Sequence, residues 1–400
     1  MTHEPHPSAS ELRIPAGHVL AKLPLAGIGL LVLGGALLAL FGPGDPRRFF
    51  AAWLVAFVFF LSLALGCLYF ALIHTAMTGA WGIVVRRVAE NAAATIPVFA
   101  LLFLPVAFGV HSLYHWSHAE AAAHDALLRH KQPYLNEPFF FARAALYFVV
   151  WSAIALWFRS LSRRQDAGAH PELAAKLSRY SGALLVPLSL TYTFAAFDWL
   201  MSLQPHWYST IFGVYVFSGG LVAGFALCAI AAVVLEKSRL VPGITVEHFH
   251  DLGKLLFAFT VFWAYIAFSQ FFLIWYGNIP EETIWYKVRL EGGFRLLTIA
   301  LAVGHFALPF FFLMPRSVKR NAATLVASAL WLLAMHFVDV YWVVIPSIEG
   351  LGARPGIVDA AAMLAAGGAF LAAFGFLTLR SPLVPQGDPR LAESLAFENV

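Results

Sequence analysis

The chain has 400 residues, of which 60% are hydrophobic and 12% charged, and its mean hydropathy is +0.75. Too few charges remain to cover a water-facing surface, and the apolar residues gather in long blocks, which excludes an ordinary soluble enzyme, a disulfide-stapled secreted domain and a disordered chain. A net charge of +4 and a pI near 9.1 do not point to nucleic acid, because Lys and Arg are scattered between the apolar blocks.

Taken in chain order, a polar, Pro-containing segment at 1–22 comes first, and no cleavable signal peptide is expected, since no small-residue cleavage pattern closely follows the first apolar run. A bilayer core of roughly 30 Å needs about 20 apolar residues per helix. Ten such runs follow, near 23–41, 50–73, 92–110, 139–159, 180–200, 209–235, 251–276, 294–314, 322–345 and 357–379. The alternating segments of a membrane barrel are missing, so the expected fold is all-α, with a polytopic domain at 23–379 and a polar tail at 380–400. Ten spans place both termini on one side. That side receives seventeen of the 26 Lys and Arg residues, Arg86 and Arg87 among them, so both termini are expected in the cytoplasm. Two loops are long enough for surface helices, 159–179 on that side and 111–138 on the other, the latter containing AEAAAHDALLRHK as a docking surface. Cys67 and Cys228 lie inside apolar runs, and no CxxC, CxxCH or Cys cluster is available for a metal or covalent haem, so no covalent cofactor is expected.

A charged group at mid-bilayer costs about 2.5–3.5 kcal/mol on insertion scales, so each polar residue inside a span needs a reason. On the seventh span, Asp251, Lys254, Tyr265, Ser269 and Tyr276 share an arc of roughly 60°. This stripe is expected to face the bundle interior as a proton path. The plainer reading is an interfacial Asp251–Lys254 pair with hydroxyls that join helices. Glu291, Thr298 and His305 follow at heptad spacing on the eighth span, and His336 and Asp339 share a face of the ninth, so a route through His305 to Asp339 is expected to cross most of the membrane. His305 and His336 also raise the possibility of a haem b ligand pair, which the flanking Trp and Phe leave little room for. At the rim, Asp198 and His206 are candidates to stand near a quinone headgroup. Trp207, Tyr208, Glu281 and Glu282 are candidates for contact with a partner, with anchoring of an aromatic belt as the competing reading.

The stretches FDWLMSLQPHWYSTIFGVYVFSGG from Phe197 and HDLGKLLFAFTVFWAYIAFSQFFLIWYGNIPEET from His250 resemble the NrfD-type membrane subunits of alternative complex III, a quinol:cytochrome c oxidoreductase, and most closely the smaller of its two such subunits. The specific part of the likeness covers 198–283. It implies a cofactor-free subunit built like the polysulfide-reductase membrane anchor and set among lipids in a bacterial inner membrane. The implied neighbours are a larger NrfD-like subunit, a periplasmic iron-sulfur subunit, haem c subunits and a terminal oxidase. The likeness further implies a quinol site in the larger homologue and proton conduction or structural support in the smaller. Together with span counting, it suggests two four-helix bundles, spans 2–5 and 6–9, with spans 1 and 10 at the margins.

Two other function classes compete. A stand-alone secondary transporter is suggested by Pro97, Pro105, Pro187 and Pro309, which interrupt spans. A purely architectural anchor would need none of the polar residues for turnover. No nucleotide-binding glycine motif or nucleophile-base arrangement favours an independent enzyme.

Overall fold

A computed structural model describes residues 12–168 and 170–398. The chain is an all-α integral membrane protein with ten helices long and apolar enough to cross a bilayer. These are α1 (Val19–Phe41), α2 (Pro46–Ala76), α3 (Ile83–Phe108), α4 (Glu137–Gln165), α5 (Pro171–Leu203), α6 (Phe212–Lys237), α7 (Val246–Gly277), α8 (Phe294–Leu313), α9 (Ala322–Ser347) and α10 (Ile357–Leu379). Leu383 N–H donates to Leu12 O, so the N- and C-terminal segments meet on one face, called here the terminal face. The opposite one is the loop face.

Local signals start and stop the helices. Asp45, Asn136 and Asn321 accept backbone N–H groups of the first turns of α2, α4 and α9, and Thr245 and His248 form a reciprocal cap on α7. The α7 helix ends where Asn278 turns left-handed at φ 49°.

Helices α2 to α5 form one four-helix bundle and α6 to α9 a second, while α1 and α10 pair with each other and rest on α2 through α10. The α2 helix is buried nearly all round, as a helix apolar on every face must be when it stands at the centre. It meets α6 across glycines. A Cβ placed on Gly66 would lie 2.0 Å from Gly220 O, so the two backbones touch where the bundles join. Alanine in a helix normally gains about 1 kcal/mol over glycine. At Gly66 the sign reverses: Gly66→Ala is expected to destabilise by ~1–3 kcal/mol through overpacking. Gly35→Ala, with open space around its Cβ, is the control and should be neutral or stabilising in detergent unfolding titrations.

Three segments depart from the sequence reading. The stretch 159–179, expected as a loop with a surface helix, is taken up by α4, which runs to Gln165, and by α5, which starts at Pro171. The third span begins at Ile83, so Arg86, Arg87 and Glu90 lie in its first turns, fully buried, and the two arginines are not loop charges. The segment after α10 is no solvated tail. Leu383, Val384, Asp388 and Ser394 are buried, Ser394 Oγ donates to Trp81 O at 3.0 Å, and Ser394 O lies 2.9 Å from His248 Nε2.

Candidate functional site

The buried polar groups of the second bundle converge on Asp339. It sits on α9 three residues after His336, so the two side chains share the face turned toward α6 and α2. Tyr215 Oη donates to Asp339 Oδ1, and Trp263 Nε1 donates to Oδ2 at 3.0 Å. Ser62 Oγ, from α2 in the other bundle, lies 2.8 Å from His336 Nε2 and donates to Phe59 O at 2.9 Å. Gly219 of α6 makes room for this approach, because a Cβ there would lie 3.1 Å from His336 Nδ1 and 3.3 Å from Asp339 Oδ2.

His305 stacks on Trp263, with ring centroids 3.9 Å apart and planes 19° from parallel, and neither of its ring nitrogens has a protein partner. It lies in a π-helical turn, Leu301–Ala307, that widens α8. Pro309 accounts for the widening: with no N–H it cannot serve the carbonyls preceding it, and Trp331 Nε1 donates to Gly304 O at 2.7 Å instead. Although His336 and Asp339 share a face, the carboxylate pairs with neither imidazole. The donors on Asp339 are a phenol and an indole, and His336 pairs with a serine.

Further polar groups lead from this centre toward the loop face. Gln270, about two turns beyond Trp263 on α7, accepts from Ser209 Oγ at 3.0 Å and donates to Tyr286 Oη at 3.1 Å. Arg289, on the short helix Pro280–Leu290, is fully buried. Its guanidinium lies 3.5 Å over the Trp285 ring and donates to Trp342 O, Val343 O, Trp285 O and Ser347 Oγ at 2.7–3.2 Å. Among the described residues no carboxylate pairs with it. Two of those carbonyls belong to the last turn of the α9 helix, so the negative end of the helix dipole stands in for a counterion. Burial nevertheless pushes the guanidinium down to about 9.

Apart from Asp251, which is buried, the seventh-span stripe does not enter the bundle, and this corrects the expectation. Tyr265 is 65% and Tyr276 76% exposed, Ser269 is half-buried, and Lys254 is exposed and pairs with Asp251 at 2.5 Å. The inward face of α7 instead carries Thr260, Trp263 and Gln270. Of the eighth-span set, Glu291 is exposed ahead of α8, and Thr298 is half-buried, donating to Arg289 O at 2.6 Å and accepting from Trp342 Nε1 at 2.8 Å. His305 alone of the three reaches the interior.

At the rim, Asp198 is fully buried and its oxygens are taken by Arg143 Nε at 2.7 Å, Arg143 Nη2 at 2.9 Å and Tyr147 Oη at 2.6 Å. Trp207 is also buried, stacked on Trp285 with centroids 4.5 Å apart, so it supports the fold and presents no surface to a partner. Tyr208 and Glu281 are exposed and Glu282 is half-buried.

His206 ties its loop to Asp125 in the loop between α3 and α4. The Leu128 N–H, then His206, hold the Asp125 carboxyl below the usual carboxylate range. A depressed folded value stabilises above the unfolded pKa, about 3.9 for Asp, and that stability is lost as pH falls through the folded value. Acidification below about pH 4 is therefore expected to lower the protection of amides in both loops relative to their intrinsic exchange rates, and His206→Ala should bring the lower protection on at neutral pH.

Two cavities adjoin the Asp339 centre, of about 20 and 10 Å³, each the size of a water and far too small for a quinone ring. A wider cleft of about 900 Å³ opens on the loop face beside Arg48, Glu291 and Arg354. Among the described residues no three His, Cys, Asp or Glu side chains are grouped to hold a metal ion. What the centre can do is exchange protons among a carboxyl, a phenol, two imidazoles and a hydroxyl held within one apolar interior. A scan against models of known protein families and a search of curated proteins find nothing that matches this chain.

Proposed function

We propose that the chain is an integral membrane subunit of a respiratory quinol:electron acceptor oxidoreductase of the alternative complex III kind, and that its own contribution is to move protons through the Asp339 centre. One observation carries the proton role. A carboxyl, two imidazoles and a phenol gather where α2, α6, α7, α8 and α9 face one another, away from lipid, although each is costly there. The polar groups from Ser209 to Arg289 support an entry from the loop face. Partner subunits carrying haem and iron-sulfur clusters would dock on that face, where Tyr208, Glu281 and the wide cleft are accessible.

The transporter reading has less support. It needs helices broken at matching places in two halves. Pro187 sits inside an unbroken stretch of α5, contrary to the sequence expectation, and the interruptions fall on α3, second of its bundle, and on α8, third of the other.

Purification of the tagged chain from native membranes tests the assembly: co-purifying c-type haem and iron-sulfur signals are expected, and the chain recovered alone from mild detergent overturns it. In the assembled complex, Asp339→Asn should lower the protons moved per electron while the subunits still associate. An unchanged proton stoichiometry overturns the proton role.

A further inference from the structure

The two small cavities lie side by side between the bundles, with Val58, Ser62, Leu200 and Val216 in the walls of both. The larger also has Tyr192 of α5 in its wall, and the smaller has Tyr215, His336 and Asp339. Two polar atoms at this junction are buried without a protein partner, Tyr192 Oη and His336 Nδ1. A buried polar atom left unpaired is rare and costly, and a cavity of roughly 10–15 Å³ with largely apolar walls admits a water only where at least two polar atoms reach it, as Tyr192 and Ser62 do in one cavity and His336 and Asp339 in the other.

Hydrogen-bond roles can be assigned across the junction. Ser62 Oγ gives its proton to Phe59 O, so its contact with His336 Nε2 needs the proton on the imidazole. His336 Nδ1 is then a lone-pair acceptor that wants an O–H donor. Tyr192 Oη, on the far side, is a donor that wants an acceptor. Consecutive glycines of α6 open the space between them. The Cβ position of Gly220 lies 2.8 Å from Tyr192 Oη and 3.0 Å from Ser62 O, and that of Gly219 faces His336 Nδ1.

We propose that each cavity binds one water and that the pair completes a continuous hydrogen-bonded seam from Asp339 and His336 through Ser62 to Tyr192, joining the two four-helix bundles by a polar crossing. The water of the smaller cavity donates to His336 Nδ1 and to Asp339 or Tyr215. The water of the larger accepts from Tyr192 Oη and donates to Ser62. The hydration stands on geometry alone. Its use as a lateral proton crossing, which gives the Asp339 centre an outlet into the first bundle, rests on the function proposed above.

The test is the full chain in lipid nanodiscs, by an experimental map that shows ordered waters and by melting of a variant. Expected are one density peak within hydrogen-bond reach of Tyr192 Oη and Ser62 and another within reach of His336 Nδ1 and Asp339. Tyr192→Phe should remove the first peak and lower the melting temperature, because a bonded hydroxyl is lost. A dry seam predicts the reverse: no peak in either cavity, and a melting temperature unchanged or raised once an unpaired hydroxyl is gone. Either result overturns the proposal. Neither readout involves quinol or proton flux, so failure of the respiratory reading leaves this test intact.

Discussion

Glu90→Ala is expected to lower the unfolding free energy by about 2–4 kcal/mol, because it removes the carboxylate that two buried guanidinium groups share and leaves each with one partner. Glu90 is fully buried on α3, accepts from Arg86 Nε at 3.1 Å and Ser162 Oγ at 2.7 Å, and lies 3.3 Å from Arg87 Nε as an ion pair without a hydrogen bond. Each arginine has one further carboxylate, Asp388 for Arg86 and Asp166 for Arg87, both at 2.7–2.8 Å. Three carboxylates thus serve two arginines, and Glu90 is the one they share. Burial opposes ionisation of Asp388, yet Arg86 and the Arg390 N–H hold its carboxyl below the usual range, so the ion pair survives in the segment that follows α10. Losing Glu90 leaves Arg86 tied only to that segment. Two measurements check the expectation, the unfolding midpoint in mixed micelles and deuterium uptake across 380–398, and both should move. Glu90→Gln, which keeps an acceptor but no charge, should fall between wild type and Glu90→Ala. A shift under about 1 kcal/mol for Glu90→Ala, the range of an exposed pair, would contradict the account.

The sequence made the ten spans legible because a bilayer demands a fixed length of apolar chain, and that demand is written in run lengths alone. It misplaced the start of α3 because Arg86, Arg87 and Glu90 look like a loop until their partners on α4 and after α10 are known, 72 or more residues away in sequence. Periodicity failed on α7 for a deeper reason. In water, an apolar stripe faces inward. In a bilayer, interior and lipid are equally apolar, so a stripe of Tyr265, Ser269 and Tyr276 carries no sign that says which way it turns. His305, His336 and Asp339 were legible because an ionisable group in a span has few places to go. Ser62, Tyr192 and Tyr215 were not, since one hydroxyl in an apolar helix is ordinary and its meaning depends on the neighbour across the seam. Arg289 was missed because its partners are carbonyls, which every sequence contains.

Asp198→Ala is expected to cost ~3–5 kcal/mol, and a double replacement is expected to restore most of it. The Arg143 guanidinium meets both Asp198 oxygens side-on, lies 3.9 Å over Tyr134 and 4.2 Å over Phe139, and donates to Tyr134 O at 2.9 Å. That planar, bidentate and stacked geometry suits arginine alone, so Arg143→Lys should behave nearly as badly as Arg143→Leu. Removing either partner leaves a charge buried without compensation, whereas Asp198→Leu with Arg143→Leu removes both charges and fills the space with apolar volume. A double-mutant cycle on unfolding free energies measures the coupling directly. The same cycle separates two roles for this rim. Under the respiratory role proposed above, an Asp198 that serves only to hold α4 and α5 together lets quinol turnover recover in the double variant along with stability. If its carboxylate instead contacts a quinone headgroup, stability recovers and turnover does not. Because Asp198 is fully buried and both its oxygens are already engaged by Arg143 and Tyr147, recovery of both is the expected result.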